Sequence, residues 1–431
     1  MRVTIQPGPL EGELRAVPSK SQAHRLLICA ALADRPTVLE CGMLNKDIEA
    51  TASCLQAMGA EVQYRCGAFR IVPIRTISRG VVLDCGESGS TLRFLLPVVC
   101  ALGGEGRFLL RGRLPERPLS PLWEELGRHG AVLSRPIRDA VAFSGRLEPG
   151  VYSIPGDISS QYISGLLFAL PLLEGESVLI PTGRLESAGY LRMTKQAQAM
   201  FGLEWSGEQA GEGWRLVSGR CYRSPDRAEV EGDWSSASFW LAADALSSGK
   251  IRISGLDPDS AQGDRIAAEL IPRIRSGGAV IDAGNIPDLV PPLAAVAAAS
   301  PGETRFINAG RLRLKESDRL QSVCAMLNAL GAEAEEKPEE LIVRGKETLR
   351  GGVVDSCRDH RIAMSAAVAA LVCREPVTIL GAESVEKSYP AFWQDYRRLG
   401  GSIREEETWA TASVICFVLR SSASPTPRPS G

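Results

Sequence analysis

One local pattern recurs six times along this chain and limits its fold more than any other feature. A helical segment ends at a glycine, often Gly-Ala, and is followed by a strand, a polar turn and a second strand. The copies are Ala57-Met-Gly-Ala-Glu-Val with Ala68-Phe-Arg-Ile-Val, His129-Gly-Ala-Val-Leu with Ala140-Val-Ala-Phe, and Phe201-Gly-Leu-Glu-Trp with Trp214-Arg-Leu-Val. They continue with a shortened Gly277-Gly-Ala-Val-Ile, then Leu330-Gly-Ala-Glu-Ala with Leu341-Ile-Val-Arg, and finally Leu399-Gly-Gly-Ser-Ile. Their spacing is about 70 residues, contracted near the fourth copy. Glycine suits a helix stop because it enters left-handed backbone without steric cost. The implied unit is a helix packed on a small sheet, and the class is α+β built from α/β repeats. Three copies precede residue 225 and three follow. The break falls within Cys221–Gly232, where Arg223-Ser-Pro-Asp-Arg interrupts the pattern. Two equal halves joined by a hinge enclose a cleft, and such clefts are common ligand sites.

Two domains also suit a length of 431 residues, and 44% hydrophobic against 23% charged residues is the balance of a chain with a large core. A net charge of −2 excludes general nucleic-acid or membrane-surface binding, so any anion site must be a local cluster of cations. The longest apolar run, Leu289–Ala299, contains Pro291 and Pro292 and falls short of the roughly 20 residues that span a bilayer. The first residues read as a strand rather than a signal peptide. Eleven scattered cysteines without a Cys-x-x-Cys pair point to reduced thiols and a cytoplasmic location. Histidines at 24, 129 and 360 alone leave no His-rich metal site. The Pro/Ser-rich residues 421–431 are expected to be disordered.

Helix starts carrying Lys, Arg, Ser or Asp recur in both halves. Pro18-Ser-Lys-Ser-Gln-Ala-His-Arg precedes a helix of Leu26–Leu32 that Ser19 or Ser21 can cap, with Lys20 and Arg25 near its positive end. Asp84-Cys-Gly-Glu-Ser-Gly-Ser-Thr-Leu-Arg opens the helix of Phe94–Leu102, and Gly86 and Gly89 let backbone N–H groups approach an anion. It matches no nucleotide-binding glycine pattern. Gly156-Asp-Ile-Ser-Ser-Gln-Tyr puts two hydroxyls and an amide at the start of Ile163–Leu170. Its counterpart Gly232-Asp-Trp-Ser-Ser-Ala-Ser has no cation near it in sequence, and capping explains it best. Asp288, after Pro287, is an ordinary N-cap or a general base facing a cationic cleft. Asp359-His-Arg offers Arg361 as an anion ligand and His360 as an orienting group, and Val385-Glu-Lys-Ser-Tyr-Pro supplies Lys387.

The densest such start is Arg311-Leu-Arg-Leu-Lys-Glu-Ser-Asp-Arg, ahead of a helix whose apolar face is Leu320, Val323, Leu327 and Leu330. Ser317 or Asp318 can cap it. If the turn is already helical, Lys315 and Arg319 point the same way with Glu316 between them. Alone, the stretch is a solvated charged face. Together with the other helix starts, it is one wall of a cleft for an anionic ligand that exchanges a proton.

These stretches, with Glu116-Arg-Pro and Glu186-Ser-Ala-Gly-Tyr, run in the same order as in the 5-enolpyruvylshikimate-3-phosphate synthases of the enolpyruvyl transferase family. The chain resembles that family up to about residue 402. The resemblance implies two similar domains, each of three βαββαβ-type units around buried helices, with a cleft between them. Residues 1–14 with 228–431 would form one domain and 15–227 the other, hinged near 12–16 and 225–232. It implies transfer of the enolpyruvyl group of phosphoenolpyruvate to the 5-hydroxyl of shikimate 3-phosphate, by a monomer, without metal or organic cofactor. By resemblance, Ser159 and Ser160 hold the shikimate phosphate with Lys315. Ser21, Arg25, Gln161, Ser187 and Tyr190 line the shikimate site. Arg117, Arg319, Arg361, Lys387, Gln161 and the Gly89 backbone hold phosphoenolpyruvate, and Lys20 lies between the substrates. Asp288 takes the proton of the 5-hydroxyl. Glu316 and Lys20 handle the proton at the phosphoenolpyruvate methylene.

Three stretches depart from the family. Ala188-Gly189 replaces a Lys-Pro that many members carry, Glu87 replaces Asn, and the sequence from about residue 403 is atypical. Two alternatives share the fold. One is the sister enzyme that acts on UDP-N-acetylglucosamine, which usually carries a reactive Cys before an Arg-Pro pair; Arg111-Gly-Arg-Leu-Pro-Glu-Arg-Pro has none. The other is a non-catalytic anion-binding relative, which Lys20, Asp288, Glu316 and Arg319 argue against.

Overall fold

The computed structural model describes residues 1–406 apart from 135–138, 208–212, 219–220 and 248. The expected disorder of 421–431 and most of the atypical C-terminal stretch lie outside the described residues.

Five four-stranded sheets and one two-stranded sheet form the outer layers. Every four-stranded sheet has one parallel pairing at an edge followed by two antiparallel ones. A complete unit reads Arg79–Asp84, helix Gly89–Ala101, Glu105–Leu109, helix Leu122–Arg128, Ala131–Leu133, Ala140–Gly145. This βαβαββ order differs from the expected βαββαβ: the second helix comes before the closing hairpin of two strands. The contraction at the fourth copy has a plain cause. Val280–Asp282 does not fold back as a hairpin but pairs parallel with Glu303–Ile307 as the first strand of the next sheet.

The buried apolar residues form two cores. One contains residues between Ala23 and Val230. The other joins Val3 to Val17 with Phe239 to Leu399. Three largely buried helices run through each: Lys20–Ala31, Gly89–Ala101 and Ser160–Ala169 in the first, Trp234–Leu246, Val290–Ala298 and His360–Ala369 in the second. Helices apolar nearly all round must be sheathed on every side, and the sheets do this. The chain is a two-domain α+β protein. Among the described residues no helix is long and apolar enough to cross a membrane.

The chain passes between the cores twice, and the strands flanking the passages are exchanged. Gly12–Arg15 pairs with Ile251–Ser254 of the second core, yet the helix after it, Lys20–Ala31, packs in the first. Arg227–Glu229 pairs with Thr37–Glu40 of the first core, yet the next helix, Trp234–Leu246, packs in the second. The two connectors run antiparallel and bond to each other, Ser19 N–H to Glu231 and Asp233 N–H to Val17, both at 2.8 Å.

Candidate active site

All six buried helices start at the same cleft. Its lining includes Lys20, Ser21, Gly89, Ser90, Ser159, Ser160, Gln161, Ser235, Ser236, Asp288, His360 and Arg361. Five of these helices are capped by side chains that accept from their own first-turn N–H groups: Ser19, Ser88, Ser159, Asp233 and Asp359. Positive helix ends converging from both cores make the cleft attractive to anions before any side-chain charge is counted.

The sequence expected Ser19 or Ser21 as the first cap. Ser19 takes it, which frees Ser21 to line the cleft. Asp318, not Ser317, caps the helix Arg319–Ala329. The turn before that helix is not α-helical: residues 310–314 form a 3₁₀ turn and Lys315 is extended. Lys315 and Arg319 still converge, because Lys315 Nζ lies 3.9 Å and Arg319 Nη1 2.7 Å from Asp288 Oδ1.

Of the expected site residues, all but Arg319 and Lys387 line the cleft. Those two stand behind its wall. Arg319 is 1% exposed, bonded to Asp288 and Glu316 at 2.7 Å each and to Asp359 at 2.9 Å. Four of its five N–H donors are committed to these three carboxylates, which leaves little for a ligand in this arrangement. Lys387 is buried with its Nζ 3.8 Å from Glu316 and 3.5 Å from Glu87.

Two carboxylates anchor the charge pattern. Burial alone would raise Glu316, but Arg319, then Lys387 and Arg117, outweigh it and hold the carboxyl well below its usual range. Burial would raise Asp288 too, and Arg361, Lys315 and Arg319 overcome it, so it also stays ionised. Tyr190 donates to Asp288 at 2.8 Å, and Arg361 donates to its backbone carbonyl at 2.9 Å. Lys315 is pushed down to about 8, chiefly by burial, against the pull of Asp288. Lys20 bonds Asp47 at 2.9 Å; Asp47 and Glu316 outweigh its burial and raise it, so it stays charged.

Arg25 is spent on local partners: Thr194, the Ser21 carbonyl and the Tyr190 carbonyl, with Phe94 under its guanidinium at 5.0 Å. It shapes one corner of the cleft rather than presenting a free fork. Gly89 has a steric reason. A Cβ there would lie 2.5 Å from Arg93 Nη1 and 2.8 Å from Arg117 Nη1. Both guanidinium groups keep an Nε buried without a hydrogen-bond partner.

The halves meet through the segment 184–190. Arg184 pairs with Asp282 at 2.8 Å, Glu186 with Arg311 at 2.6 Å, and Ser187 N–H with Asn285 Oδ1 at 2.9 Å. Gly189 fits this contact: a Cβ there would lie 2.9 Å from the Gly263 nitrogen. Arg311 thus has a partner across the cleft, and Arg313 pairs with Asp318 and Glu336 at 3.0 Å, outside the cleft.

Some site residues were not visible in the sequence. Arg93 bonds Gln161 at 3.0 Å; it sits within an apolar helix, where a lone Arg carries no signal. Asp47 reads as an ordinary acidic first turn after the cap Asn45. Asp233 caps a helix, as expected of its stretch, and lines the cleft together with Ser235 and Ser236 of the first turn. Asp264, buried and accepting from the Ser235 hydroxyl, is pushed up to about 7 by burial and by Asp288. His360, which the sequence did offer as an orienting group, lines the cleft with neither ring nitrogen hydrogen-bonded, and burial, then Lys20 and Arg361, keep it neutral. Among the described residues no His/Cys/Asp/Glu group is arranged to hold a metal.

Known proteins resemble this chain over most of its length. The family described as EPSP synthase (3-phosphoshikimate 1-carboxyvinyltransferase) matches residues 5–396. The 3-phosphoshikimate 1-carboxyvinyltransferase of Clostridium kluyveri is 41% identical over 421 residues, covering 94% of this chain and 98% of its own. That of Clostridium acetobutylicum is 40% identical over 423 residues, with the same coverage. A solved EPSP synthase from Acinetobacter baumannii, 23% identical, superposes with a TM-score of 0.76 over 94% of this chain and all of its own, a likeness of fold. The chain belongs to the EPSP synthase, or 3-phosphoshikimate 1-carboxyvinyltransferase, family.

Proposed function

We propose that the cleft carries out the reaction its family is named for, the transfer of the enolpyruvyl group of phosphoenolpyruvate to the 5-hydroxyl of shikimate 3-phosphate. The observation that carries this is the meeting of six helix starts with Lys20, Arg117, Lys315 and Arg361 around two ionised carboxylates, Asp288 and Glu316. Both substrates are polyanions, and the reaction needs one base and one acid.

Ser159, Ser160 and Lys315 hold the shikimate phosphate, while Ser21, Arg25, Gln161, Ser187 and Tyr190 frame the ring. Arg117, Arg361, Lys387, Gln161 and the Gly89 backbone hold phosphoenolpyruvate. Arg319 adds its charge from behind and fixes Asp288 and Glu316 in place. Lys20 spans both substrates.

The shikimate 5-oxygen bonds to C2 of phosphoenolpyruvate as its proton passes to Asp288. The methylene carbon gains a proton from the Lys20 ammonium, giving a tetrahedral ketal, and ionised Glu316 beside it can take the proton that the methyl later gives up. The C2–O bond to phosphate then breaks, the methyl returns a proton, and phosphate leaves. Substrates prepare their own base here. Arg361 and Lys315, which hold Asp288 down, are the cations that substrate anions engage, and engaging them raises the proton affinity of Asp288. The same holds for Glu316 with Lys387 and Arg117.

The two cores are proposed as domains close to the expected 1–14 with 228 onward and 15–227, but with the crossings moved to just after Val17 and Val230, since Val17 packs in the second core and Ala228 and Val230 in the first; the hinge is the paired connectors, in a monomer working in the cytoplasm. Phosphate release with both substrates saturating tests the assignment, and release no faster than background overturns it. A thermal-shift titration in which UDP-N-acetylglucosamine stabilises the protein and shikimate 3-phosphate does not would redirect it to the sister reaction.

A further inference from the structure

The Glu87 carboxylate lies 3.5 Å from Lys387 Nζ. The same ammonium donates to the Glu87 backbone carbonyl at 3.4 Å and has Glu316 on its other side at 3.8 Å. Lys387 is buried, whereas the Glu87 side chain is 46% exposed. Gly112 makes room for it: a Cβ there would collide with the Glu87 carboxyl. Lys387 thus already has an anion seated against it, and that anion belongs to the turn just before the helix that starts at Gly89.

We propose that Glu87 is a specificity-determining residue, an internal competitor that occupies Lys387 until phosphoenolpyruvate displaces it. This rests on the reading that Lys387 serves phosphoenolpyruvate. The physical argument is charge balance. With Glu87 and Glu316 on either side, Lys387 carries no net attraction for a small anion that arrives alone. Phosphoenolpyruvate brings both a phosphate and a carboxylate, and Arg117 and Arg361 draw on them simultaneously. Glu87 is on the solvent side and can swing outward; Glu316 is held by Arg319 at 2.7 Å and stays. The Glu87–Lys387 pair therefore sets a threshold on phosphoenolpyruvate and leaves shikimate 3-phosphate, which sits with Ser159, Ser160 and Lys315, untouched.

The test is a double-mutant cycle in steady-state kinetics with Glu87→Gln and Lys387→Met. Glu87→Gln lowers the KM for phosphoenolpyruvate about two- to fivefold, the range of a partly exposed ion pair, without a matching fall in the KM for shikimate 3-phosphate. Inorganic phosphate becomes a tighter inhibitor by a similar factor. Glu87→Asp, which keeps the charge on a shorter arm, falls between wild type and Glu87→Gln. In the Lys387→Met background Glu87→Gln has no further effect. An unchanged phosphoenolpyruvate KM in Glu87→Gln, while Lys387→Met raises it, overturns the competitor and leaves the Lys387 assignment standing. An unchanged KM in Lys387→Met overturns that assignment and the competitor with it. An equal fall in both backgrounds assigns the effect to general charge and also overturns the pair.

Discussion

The hydroxyl of Tyr190 reaches across the cleft and donates to the carboxylate of Asp288 at 2.8 Å. Tyr190 follows the segment that joins the halves, so the proposed base is held by a donor from the opposite core. Burial, then Asp264 and Asp288, raise the phenol well above its usual range, so it remains a donor wherever the enzyme works. A hydrogen bond to a charged group contributes about 1.5–3 kcal/mol. Tyr190→Phe is expected to lower kcat/KM for shikimate 3-phosphate roughly ten- to hundredfold. Steady-state kinetics check this, and a loss confined to the phosphoenolpyruvate KM would contradict the placement.

Glu316 makes a second expectation. Its carboxylate faces Arg319, Lys387 and Arg117, so Gln at this position keeps the shape and removes the proton exchange. Glu316→Gln should cut kcat by roughly a hundred- to ten-thousandfold while substrate dissociation constants move far less. Calorimetric binding beside turnover separates the two, and parallel losses would argue for a structural role.

Lys315 gives a pH dependence whose sign is fixed. Its folded-state value of about 8 lies below the ordinary 10.5, mainly through burial. Above pH 8 it loses the charge proposed to hold the shikimate phosphate, so the KM for shikimate 3-phosphate should rise on the alkaline side. The unliganded fold behaves oppositely. Between the folded and unfolded values the unfolded chain binds more protons, so stability from this group increases with pH. Lys315→Met should flatten both trends; a KM profile unchanged in the variant would remove Lys315 from the phosphate site.

Gly89→Ala is the fourth expectation. The added methyl meets Arg93 and Arg117 and must push at least one guanidinium aside. The KM for phosphoenolpyruvate should rise about tenfold or more, from a displacement costing on the order of 1–3 kcal/mol, with shikimate 3-phosphate binding nearly unchanged. Binding titrations of each substrate distinguish this from general damage.

The sixfold repeat was readable because a helix stop at Gly followed by alternating strands is a local signal. The helix starts were readable for the same reason: a cap and its cations sit within a few residues of each other. What local sequence does not carry is which charges neutralise which. Arg319 reads like Lys315, yet one is sealed among three carboxylates and the other lines the cleft, a difference set by Asp288 and Asp359 far along the chain. Arg311 looked like flanking charge until Glu186 of the other half came to meet it. The exchange of first strands left no mark, since Gly12–Arg15 and Arg227–Glu229 would read as strands in either sheet.

That exchange bears on how the protein can be divided. A cut near residue 226 separates the two halves in sequence but not in structure. The first piece would keep Thr37–Glu40 without its neighbour Arg227–Glu229 and would carry Gly12–Arg15 with nothing to pair to; the second would have Ile251–Ser254 bare. Neither piece is a free-standing module, and bare strand edges of this kind invite aggregation. Only coexpression of both fragments, allowing each to supply the other's missing edge, should yield soluble protein, and a chain emerging from the ribosome cannot finish its first domain until residues beyond Glu229 have been made.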